Sequence, residues 1–314
     1  MEQIYPKERH MGIVKAVCIS EIRGVAKENV GEGLLIEDHG LEKDAHAGTW
    51  HRQVSLLSYE AMENFRAQGA PVREGSFGEN LLVSGFDFKK YPIGTRFCCG
   101  EAVLEITQVG KECHQGCEIR RQTGDCIMPR EGVFAKVVKG GPVRVGDVMT
   151  RQLSAAVLVC SDKGSRGIRE DASGPAAVSL LEHAGYQIFA NEIIPDEQDE
   201  IEKKLVEWTD ERKPDLVFTL GGTGLSGRDV TPEATLHVAD RQVPGVAEAI
   251  RGYSMQITPR AMFSRGVCVQ RGESLIINLP GSPKAVTETL KYLLPNLEHG
   301  IRIMRGETGE CAGK

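Results

Sequence analysis

Residues 218–234, with the sequence FTLGGTGLSGRDVTPEA, contain the most informative motif of this chain. The segment opens as an apolar stretch of strand length, and Gly222, Gly224 and Gly227 follow it in G-x-G-x-x-G spacing. A dinucleotide-binding loop of this spacing stands in the first βα turn of its domain and opens an apolar helix. Here the loop lies in mid-domain and continues as Arg-Asp-Val-Thr-Pro, without the Lys-Ser or Lys-Thr of a Walker-type loop. The pattern therefore argues against both of these nucleotide-binding loops.

Strand-like and helix-like segments alternate on both sides of this loop. Apolar runs of strand length lie at residues 153–160, 188–194, 215–220 and 274–279, and helical patterns lie at residues 175–184, 198–209 and 283–294. Such alternation is typical of an α/β layer fold, in which helices cover a mostly parallel sheet. We therefore predict a three-layer α/β domain with a largely parallel sheet over residues 151–314.

The first 150 residues follow a different pattern, with short apolar stretches between glycine-rich turns. The strand-like stretches are residues 12–20, 53–57, 80–84, 102–109 and 133–138, and a helical pattern occupies residues 58–68. Short strands with closely spaced turns predict a barrel or a sandwich. We expect two domains, 1–150 and 151–314, joined by a short linker at residues 149–152.

The overall composition agrees with a globular protein of two domains. The chain has 314 residues, and a domain averages roughly 150 residues. Its net charge of -6 argues against nucleic-acid binding by bulk charge. No apolar run reaches the ~18 residues of a membrane span, and no signal-peptide pattern opens the sequence, so we expect a cytoplasmic protein without a membrane segment. The nine cysteines, an odd number, favour reduced thiols over a disulfide framework.

The glycine loop has the chemistry of an anion site. Glycines let backbone N–H groups approach phosphate oxygens, and Thr223 and Ser226 add hydroxyl donors. Arg228 is placed to hold a phosphate with two parallel hydrogen bonds. Asp229 would be repelled by a phosphate unless a divalent cation lay between them, so it is a candidate Mg²⁺ ligand. The spacing is equally consistent with Asp229 capping the turn that leads into Thr231.

A second acidic site stands where the strand ending near Ile194 gives way to a helix. Asp196 and Asp199 resemble the cap and the acidic first turn of that helix, and spacing alone favours this structural role. The carboxyl ends of parallel strands, however, are where open α/β sheets bind ligands. Asp196, Asp229 and the loops 161–165 and 280–283 would all lie at this edge. Their convergence favours a binding site over four separate caps.

Four motifs in this half resemble those of a known family. Ser161-Asp-x-x-Ser165, Ile194-Pro-Asp-Glu197, Gly221-Gly-Thr-Gly224 with Arg228-Asp-Val-Thr-Pro-Glu233, and Asn278-Leu-Pro-Gly-Ser-Pro283 follow one another in order. Together they resemble the MogA/MoaB family of molybdenum-cofactor biosynthesis, over residues 153–305. The resemblance implies molybdopterin adenylyltransferase activity, in which AMP from Mg-ATP is joined to the terminal phosphate of molybdopterin and pyrophosphate is released.

The resemblance also implies roles for individual residues. Asp196 and Asp229 match the two catalytic aspartates of the family, which are expected to hold Mg²⁺ between the nucleotide and pterin phosphates. The backbone of Gly221, Gly222, Thr223 and Gly224 would cradle the phosphate of molybdopterin or those of the nucleotide. Polar positions of the pterin pocket are matched by Ser161, Ser165 and Ser282, and Pro280 and Gly281 are expected to bind substrate or nucleotide beside Ser282. Relatives are often trimers, so the resemblance implies a homo-oligomer.

A second set of segments lies in the N-terminal half: Gly40 to Gly48 with Asp44 and His46, Gly75 to Leu81 with Glu79 and Asn80, Cys113, and the closing Gly146-Asp. Together they resemble the MOSC domain, a β-barrel module of molybdenum-cofactor sulfurases and related proteins. The resemblance covers about residues 10–150 and implies a mostly-β barrel. It also implies that Cys113 carries sulfur or contacts the metal of a bound molybdenum cofactor. From the residues alone, the Asp44 and His46 loop is either a polar site or a turn with an exposed histidine, and Glu79-Asn80 fits plain turn chemistry equally well.

The sequence around Cys113 departs from the family pattern, which commonly has a proline before the cysteine. Cys113, His114, Cys117 and Cys126 together offer enough donors for Zn²⁺ or another thiophilic metal, with Cys113, Cys117 and Cys126 the easiest set to combine. The other interpretations are cofactor or sulfur chemistry at Cys113, buried structural thiols, and a redox pair of Cys113 and Cys117. The remaining cysteines before the tail fall in strand-like runs and are predicted to be core residues: Cys18, Cys98, Cys99, Cys160 and Cys268.

Three functional hypotheses follow. The leading one is a fused enzyme of molybdenum-cofactor biosynthesis, whose C-terminal half adenylylates molybdopterin and whose N-terminal half binds or modifies the pterin or the finished cofactor. Its expected ligands are Mg²⁺, ATP and molybdopterin, and its expected partners are other cofactor-biosynthesis proteins, with no nucleic acid and no membrane. The alternatives are a non-catalytic cofactor carrier and a molybdenum-dependent reductase or sulfur-transfer protein centred on the N-terminal half.

Overall fold

The computed structural model describes residues 11–110 and 125–306, which form two compact units. One unit ends at Gln152 and the other begins at Leu153. Across the described residues, no helix combines the length and the apolar character needed to cross a lipid bilayer.

The first unit is built mainly from short strands. Its strands are β1 (Met11–Ile19), β2 (Glu28–Asn29), β3 (Glu32–Ile36), β4 (Gly40–Leu41), β5 (Val54–Ser58), β6 (Leu81–Ser84), β7 (Arg96–Cys99), β8 (Ala102–Val109), β9 (Val133–Lys139), β10 (Gly141–Arg144) and β11 (Val148–Gln152). Its helices are α1 (Tyr59–Ala67) and the single turn α2 (Met128–Glu131), with a 3₁₀ turn at Phe88–Lys90.

Seven of these strands close into a barrel. Their order is β1-β6-β5-β9-β8-β7-β11, and β11 pairs back onto β1. All neighbours are antiparallel except β5 and β6, which run parallel. Strands β10, β3 and β4 form a separate three-stranded sheet. Because closure leaves the seven barrel strands without a free edge, the predicted mostly-β barrel is confirmed.

The barrel is packed on both surfaces of its sheet. Strand residues such as Val14, Leu56 and Leu104 are fully buried in one cluster, which also contains Phe86 and Phe97. A second cluster joins the opposite surface of the strands to α1, and its members include Met62, Phe65, Leu82 and Phe134. In β5, β6 and β9, neighbouring side chains along the strand therefore belong to different clusters, as the two-residue period of a strand requires.

The second unit alternates strands and helices. Its strands are β12 (Ser154–Cys160), β13 (Gln187–Ile194), β14 (Leu216–Leu220), β15 (Arg241–Gln242), β16 (Cys268–Arg271) and β17 (Ser274–Leu279). Its helices are α3 (Asp162–Ser165), α4 (Ser173–His183), α5 (Gln198–Glu207), α6 (Thr231–His237), α7 (Pro244–Ile257) and α8 (Pro283–Met304). A π-helical turn at Trp208–Arg212 extends α5, and a 3₁₀ turn at Pro259–Phe263 follows α7.

These strands form one sheet in the order β13-β12-β14-β17-β16-β15. Strands β13, β12, β14 and β17 are parallel, whereas β16 and β15 are antiparallel to their neighbours. Helices α4, α7 and α8 pack on one face of the sheet, and α5 and α6 pack on the other. The predicted three-layer architecture with a largely parallel sheet is therefore confirmed.

Two expectations about these elements were wrong. Residues 149–152 are not a linker, because they belong to β11 and pair with both β1 and β7. The strand was hard to recognise because Arg151, although charged, is buried at a core position with its guanidinium 5.6 Å from the ring centre of Tyr91. The helix predicted at 283–294 continues to Met304, past Pro295, because buried residues such as Leu297 and Ile301 extend its apolar face.

Candidate functional site

The four parallel strands of the second unit end in register at one edge of the sheet. Cys160 pairs with Ile194, Val159 pairs with Leu220, and Leu220 pairs with Leu279. The loops that follow these strands, at residues 161–165, 195–197, 221–229 and 280–283, therefore emerge side by side. The structure thus brings together the four segments that the sequence placed at this edge, which is the usual ligand-binding edge of such sheets.

A cleft of about 280 Å³ opens at this edge. Four of the predicted site residues line it: Ser161, Gly221, Gly281 and Ser282. Sequence reasoning missed the rest of the lining, which includes Arg169, Glu170, Asp171 and Ser173. The Asp171 carboxylate accepts hydrogen bonds from the N–H groups of Ser173 and Gly174 at 2.8 and 2.9 Å, so it caps α4. An Asp just before an apolar helical pattern is a capping signal, and it could have identified this residue.

The glycine loop depends on conformations that other residues rarely adopt. Gly221 and Gly222 have φ values of +99° and +61°. A Cβ atom at Gly221 would lie 2.6 Å from the carbonyl oxygen of Cys160, and one at Gly222 would overlap the Thr231 hydroxyl. Both positions therefore require glycine, and the loop passes directly over the end of β12.

Arg265 holds the same loop from outside the motif, and sequence reasoning missed it. Its backbone N–H donates to the carbonyl of Thr223 at 2.9 Å, and its Nε donates to the carbonyl of Gly224 at 2.7 Å. The guanidinium also donates to the carbonyl of Asp229 and to the carboxylate of Glu233. One residue thus satisfies three loop carbonyls, one through its backbone and two through its side chain. No pattern in residues 264–267 indicates this role, because the contact joins positions far apart in the sequence.

Asp196 does not cap the helix that follows it, contrary to what spacing alone favoured. The N-cap residue of α5 is Glu197, and no side chain bonds to the first turn there. Instead, Oδ2 of Asp196 accepts a hydrogen bond from the backbone N–H of Asp162 at 2.9 Å. Its Oδ1 is buried, makes no hydrogen bond and lies against Gly222. Burial raises the pKa of Asp196 above its ordinary value, and the carboxylates of Asp162 and Asp229 act in the same direction.

Asp229 lies in the glycine loop itself. Its Oδ2 accepts a hydrogen bond from the backbone N–H of Ser226 at 2.8 Å and lies against Gly224. The carboxylate therefore closes the turn 226–229, and it does not cap the turn into Thr231, where no described side chain caps α6. The other carboxylate oxygen is left for a ligand, so the predicted Mg²⁺ role is compatible with this contact.

The Arg228 guanidinium binds two carboxylates. Its Nε and one terminal nitrogen donate to the two carboxylate oxygens of Asp162 at 3.1 and 2.9 Å, and the same nitrogen donates to Glu197 at 2.8 Å. These bonds lower the pKa of Asp162 and raise the pKa of Arg228 from their ordinary values. The predicted phosphate contact of Arg228 stays a prediction, and in this structure its planar donor group faces two acids.

The remaining predicted polar residues have local structural partners. Ser161 and Ser282 are N-caps, whose Oγ atoms accept from the N–H of Gly164 at 3.1 Å and of Ala285 at 3.2 Å. Ser165 is exposed and its hydroxyl donates to the carbonyl of Asp162 at 3.2 Å. Thr223 is buried, Ser226 is exposed, and Pro280 is half-buried at the end of β17.

The acidic residues at this edge fit a divalent cation. Asp196 has an unpaired, buried carboxylate oxygen, and Thr231 has an unpaired, buried hydroxyl against the same glycine. Among the described residues, no three His, Cys, Asp or Glu side chains are grouped closely enough to hold a metal ion by themselves. Two aspartates completed by water and phosphate oxygens are the usual environment of Mg²⁺ in nucleotide sites.

The polar residues singled out in the first unit form structural contacts. Lys27 and Asp44 are buried and paired at 2.8 Å, which ties together the two loops that carry them. Burial by itself would raise the pKa of Asp44, but hydrogen bonds from His46 and the Lys27 ammonium lower it overall. Glu79 accepts from the N–H groups of Gly75 at 2.7 Å and Phe77 at 3.0 Å, as turn chemistry predicts.

The cysteine hypotheses are answered only in part. Cys113, His114 and Cys117 lie outside the described residues. Cys126 is buried among apolar side chains that include Ile127, Met128 and Phe134. Of the five predicted core cysteines, four are buried and burial raises their pKa to about 12: Cys18, Cys99, Cys160 and Cys268. Cys98 is only half-buried.

Family comparisons agree with both units. Residues 43–150 match the family model of the MOSC domain, and residues 156–299 match that of the probable molybdopterin binding domain. The molybdopterin adenylyltransferase of Haemophilus influenzae is 48% identical over 145 residues, which are 46% of this chain and 74% of that protein. The molybdopterin adenylyltransferase of Escherichia coli K12 is 46% identical over 141 residues, which are 44% of this chain and 72% of that protein.

A solved structure is similar as well. The molybdopterin biosynthesis enzyme MoaB from Thermus thermophilus is 44% identical, covers 49% of this chain and 98% of its own, and gives a TM-score of 0.47. The fold and the site of the second unit define an α/β domain whose glycine loop and aspartates meet at one sheet edge. The chain belongs to the molybdopterin adenylyltransferase family, and it carries a MOSC domain in addition.

Proposed function

We propose that this chain adenylylates molybdopterin through its second unit. An oxygen of the terminal phosphate of molybdopterin attacks the α-phosphorus of ATP, the bond between the α- and β-phosphates breaks, and pyrophosphate leaves. The observation that carries this proposal is the Asp196 carboxylate, which has one buried, unpaired oxygen directly against the glycine loop. A cation bound to this oxygen would lie next to the glycine loop, whose backbone N–H groups can bind phosphate oxygens.

The residues at the sheet edge have different roles in this reaction. The backbone N–H groups of Gly221, Gly222, Thr223 and Gly224, with the Ser226 hydroxyl, orient phosphate oxygens. Asp196 and Asp229 would hold Mg²⁺, which when bound neutralises charge on the reacting phosphates. Transfers of this kind need positioning and charge neutralisation more than a protein nucleophile, so the reaction requires no covalent intermediate with the protein.

We place the pterin in the cleft of about 280 Å³ beside this loop. Ser161, Gly164, Gly281 and Ser282 line that cleft, and Ser165 and Pro280 directly adjoin Gly164 and Gly281 in the chain. Gly221 lines the cleft, whereas its neighbour Gly222 adjoins Asp196. A phosphate at this pair of glycines would therefore connect the pterin to the cation site.

We further propose a homo-oligomer and a cofactor-binding role for the MOSC domain. Exposed apolar side chains of the second unit are concentrated at the end of α7 and the turn after it, with Met255, Ile257, Met262 and Phe263 between 43% and 58% exposed. Such a group is suited to contact a second copy of the chain. In the MOSC domain, Cys113 is the proposed contact to sulfur or to the finished cofactor. Two modules that handle one pterin on a single chain would raise its local concentration.

An anaerobic turnover experiment tests the proposal. Purified full-length protein is mixed with molybdopterin and Mg-ATP, and the adenylylated pterin and pyrophosphate are quantified by mass spectrometry and a coupled assay. We expect equal amounts of both products, and no ATP consumption when molybdopterin is left out. Tight molybdopterin binding without product would instead assign the chain to the carrier class.

A further inference from the structure

The ion pair between Arg228 and Asp162 joins the structures that hold the two proposed metal aspartates. Arg228 precedes Asp229 in the glycine loop, so a fixed Arg228 side chain restrains the backbone that carries Asp229. Asp162 supplies the N–H that binds the Asp196 carboxylate, and its own carboxylate takes two hydrogen bonds from Arg228. Glu197, directly after Asp196, binds the same guanidinium. One arginine therefore connects the loops that follow β12, β13 and β14.

The contacts of Arg228 fix the geometry of the site more than they stabilise the fold. Arg228 is 51% exposed and Glu197 is 52% exposed, and exposed ion pairs contribute about 0–1 kcal/mol to stability. The planar guanidinium, by contrast, imposes a strict geometry on the carboxylates that it binds. The aspartates of the site also repel one another, and Arg228 places positive charge among Asp162, Asp196 and Glu197. Loss of this side chain should thus loosen the site while leaving the fold intact.

We propose that Arg228 is a positioning residue, which holds Asp196 and Asp229 at the separation needed to share one divalent cation. It does so by clamping Asp162 and Glu197, and it does not itself bind the substrate phosphates. This inference rests on the proposed adenylyl transfer. It assigns Arg228 a role different from the phosphate contact that the sequence alone predicted.

Steady-state kinetics of three variants test this role. Arg228→Ala should lower kcat by roughly 10- to 100-fold and leave KM for ATP and molybdopterin nearly unchanged, because a misplacement of about 1 Å is enough for such a loss. Arg228→Lys should restore little of the lost kcat, because an ammonium group does not reproduce the planar, two-bond geometry of the guanidinium. Arg271→Ala is the matched control, since Arg271 on β16 makes a similar two-bond contact to Asp210 in the π-helical turn after α5, away from the loops of the site.

Direct cation binding gives a second readout that does not depend on turnover. Titration with Mn²⁺ alone, followed by electron paramagnetic resonance, should give a several-fold weaker affinity for Arg228→Ala than for wild type and Arg271→Ala. An increased KM with unchanged kcat and unchanged Mn²⁺ affinity would overturn the inference and assign Arg228 to phosphate binding. If wild type makes no adenylylated pterin, the proposed function fails, and the Mn²⁺ titration still decides the role of Arg228. A wild-type protein that binds no Mn²⁺ would overturn the inference as well.

Discussion

The backbone N–H of Asp162 donates to Oδ2 of Asp196 at 2.9 Å, and the N–H of Asp196 donates back to Oδ1 of Asp162 at 3.3 Å. This reciprocal pair links the loop after β12 to the loop after β13. It orients the Asp196 carboxylate from a neighbouring loop and leaves Oδ1 directed at Gly222 without a hydrogen bond. A carboxylate held in this manner is pre-organised for a ligand, because one oxygen is fixed and the other is available.

We predict that Gly222→Ala destabilises the second unit and reduces adenylylation at least 10-fold. The added methyl group would overlap the Thr231 hydroxyl, and the φ of +61° is unfavourable for alanine. Strain of this kind costs on the order of 1–3 kcal/mol. Urea unfolding, followed by Trp208 fluorescence in a Trp50→Phe background, measures the resulting decrease in the free energy of unfolding. Gly227→Ala in the same loop is the control, because no atom lies within 4 Å of its Cβ position. Equal stability of the two variants would contradict the prediction.

We predict that Lys27→Met destabilises the barrel by about 3–5 kcal/mol, because it leaves the buried Asp44 carboxylate without its cation. Trp50 lies in the first unit, so urea unfolding monitored by fluorescence in a Trp208→Phe background reports on the barrel. The control is Lys90→Met, whose ion pair with Asp87 is exposed and should contribute less than about 1 kcal/mol. If the free energy of unfolding decreases no more for Lys27→Met than for the control, the buried ion pair is not needed for stability.

We predict that Glu79 makes the barrel less stable as the pH rises from about 4.5 to about 7. Burial raises the pKa of Glu79 to about 7, whereas the ordinary value is 4.5. The folded state therefore retains a proton that the unfolded state loses in this range. Stability then falls with pH, by at most about 1.4 kcal/mol per pH unit.

Unfolding of the barrel at pH 4.5, 6 and 7.5 measures this effect. Wild type and Glu79→Gln are compared in the Trp208→Phe background. The glutamine variant loses a backbone hydrogen bond at every pH, but it should lack the part of the slope that comes from Glu79. Identical pH slopes for the two proteins would contradict the assignment of this titration to Glu79.

Local sequence patterns predicted most of the fold. The β8 segment 102–109 and the β17 segment 274–279 match the structure residue for residue, because mostly apolar stretches of strand length bounded by turns leave few alternatives. β11 was missed because Arg151 is charged but buried, which hides the alternation of the strand. Helix α7 was also not predicted. It depends on packing against α8 and the sheet through residues such as Ile250, which the local sequence does not reveal.

The site was predictable where motifs lie next to strand ends and unpredictable where contacts join distant segments. Gly221, Gly222, Asp196 and Asp229 follow parallel strands, so topology alone brings them to one edge. Arg265 binds the glycine loop from residues further along the chain, and nothing in its surroundings signals that role. The partners of Arg228 were missed for the same reason, because each acid lies in a different loop.

The most direct test of the central claim compares adenylylation by wild type, Asp196→Asn, Asp229→Asn and the control Asp199→Asn, which changes an exposed acid in the first turn of α5. Each full-length protein is incubated anaerobically with molybdopterin and Mg-ATP, and adenylylated pterin is measured by mass. We predict that wild type and Asp199→Asn form product at similar rates, and that the two site variants lose on the order of 100-fold in rate. Wild-type rates in Asp196→Asn or Asp229→Asn would contradict the account.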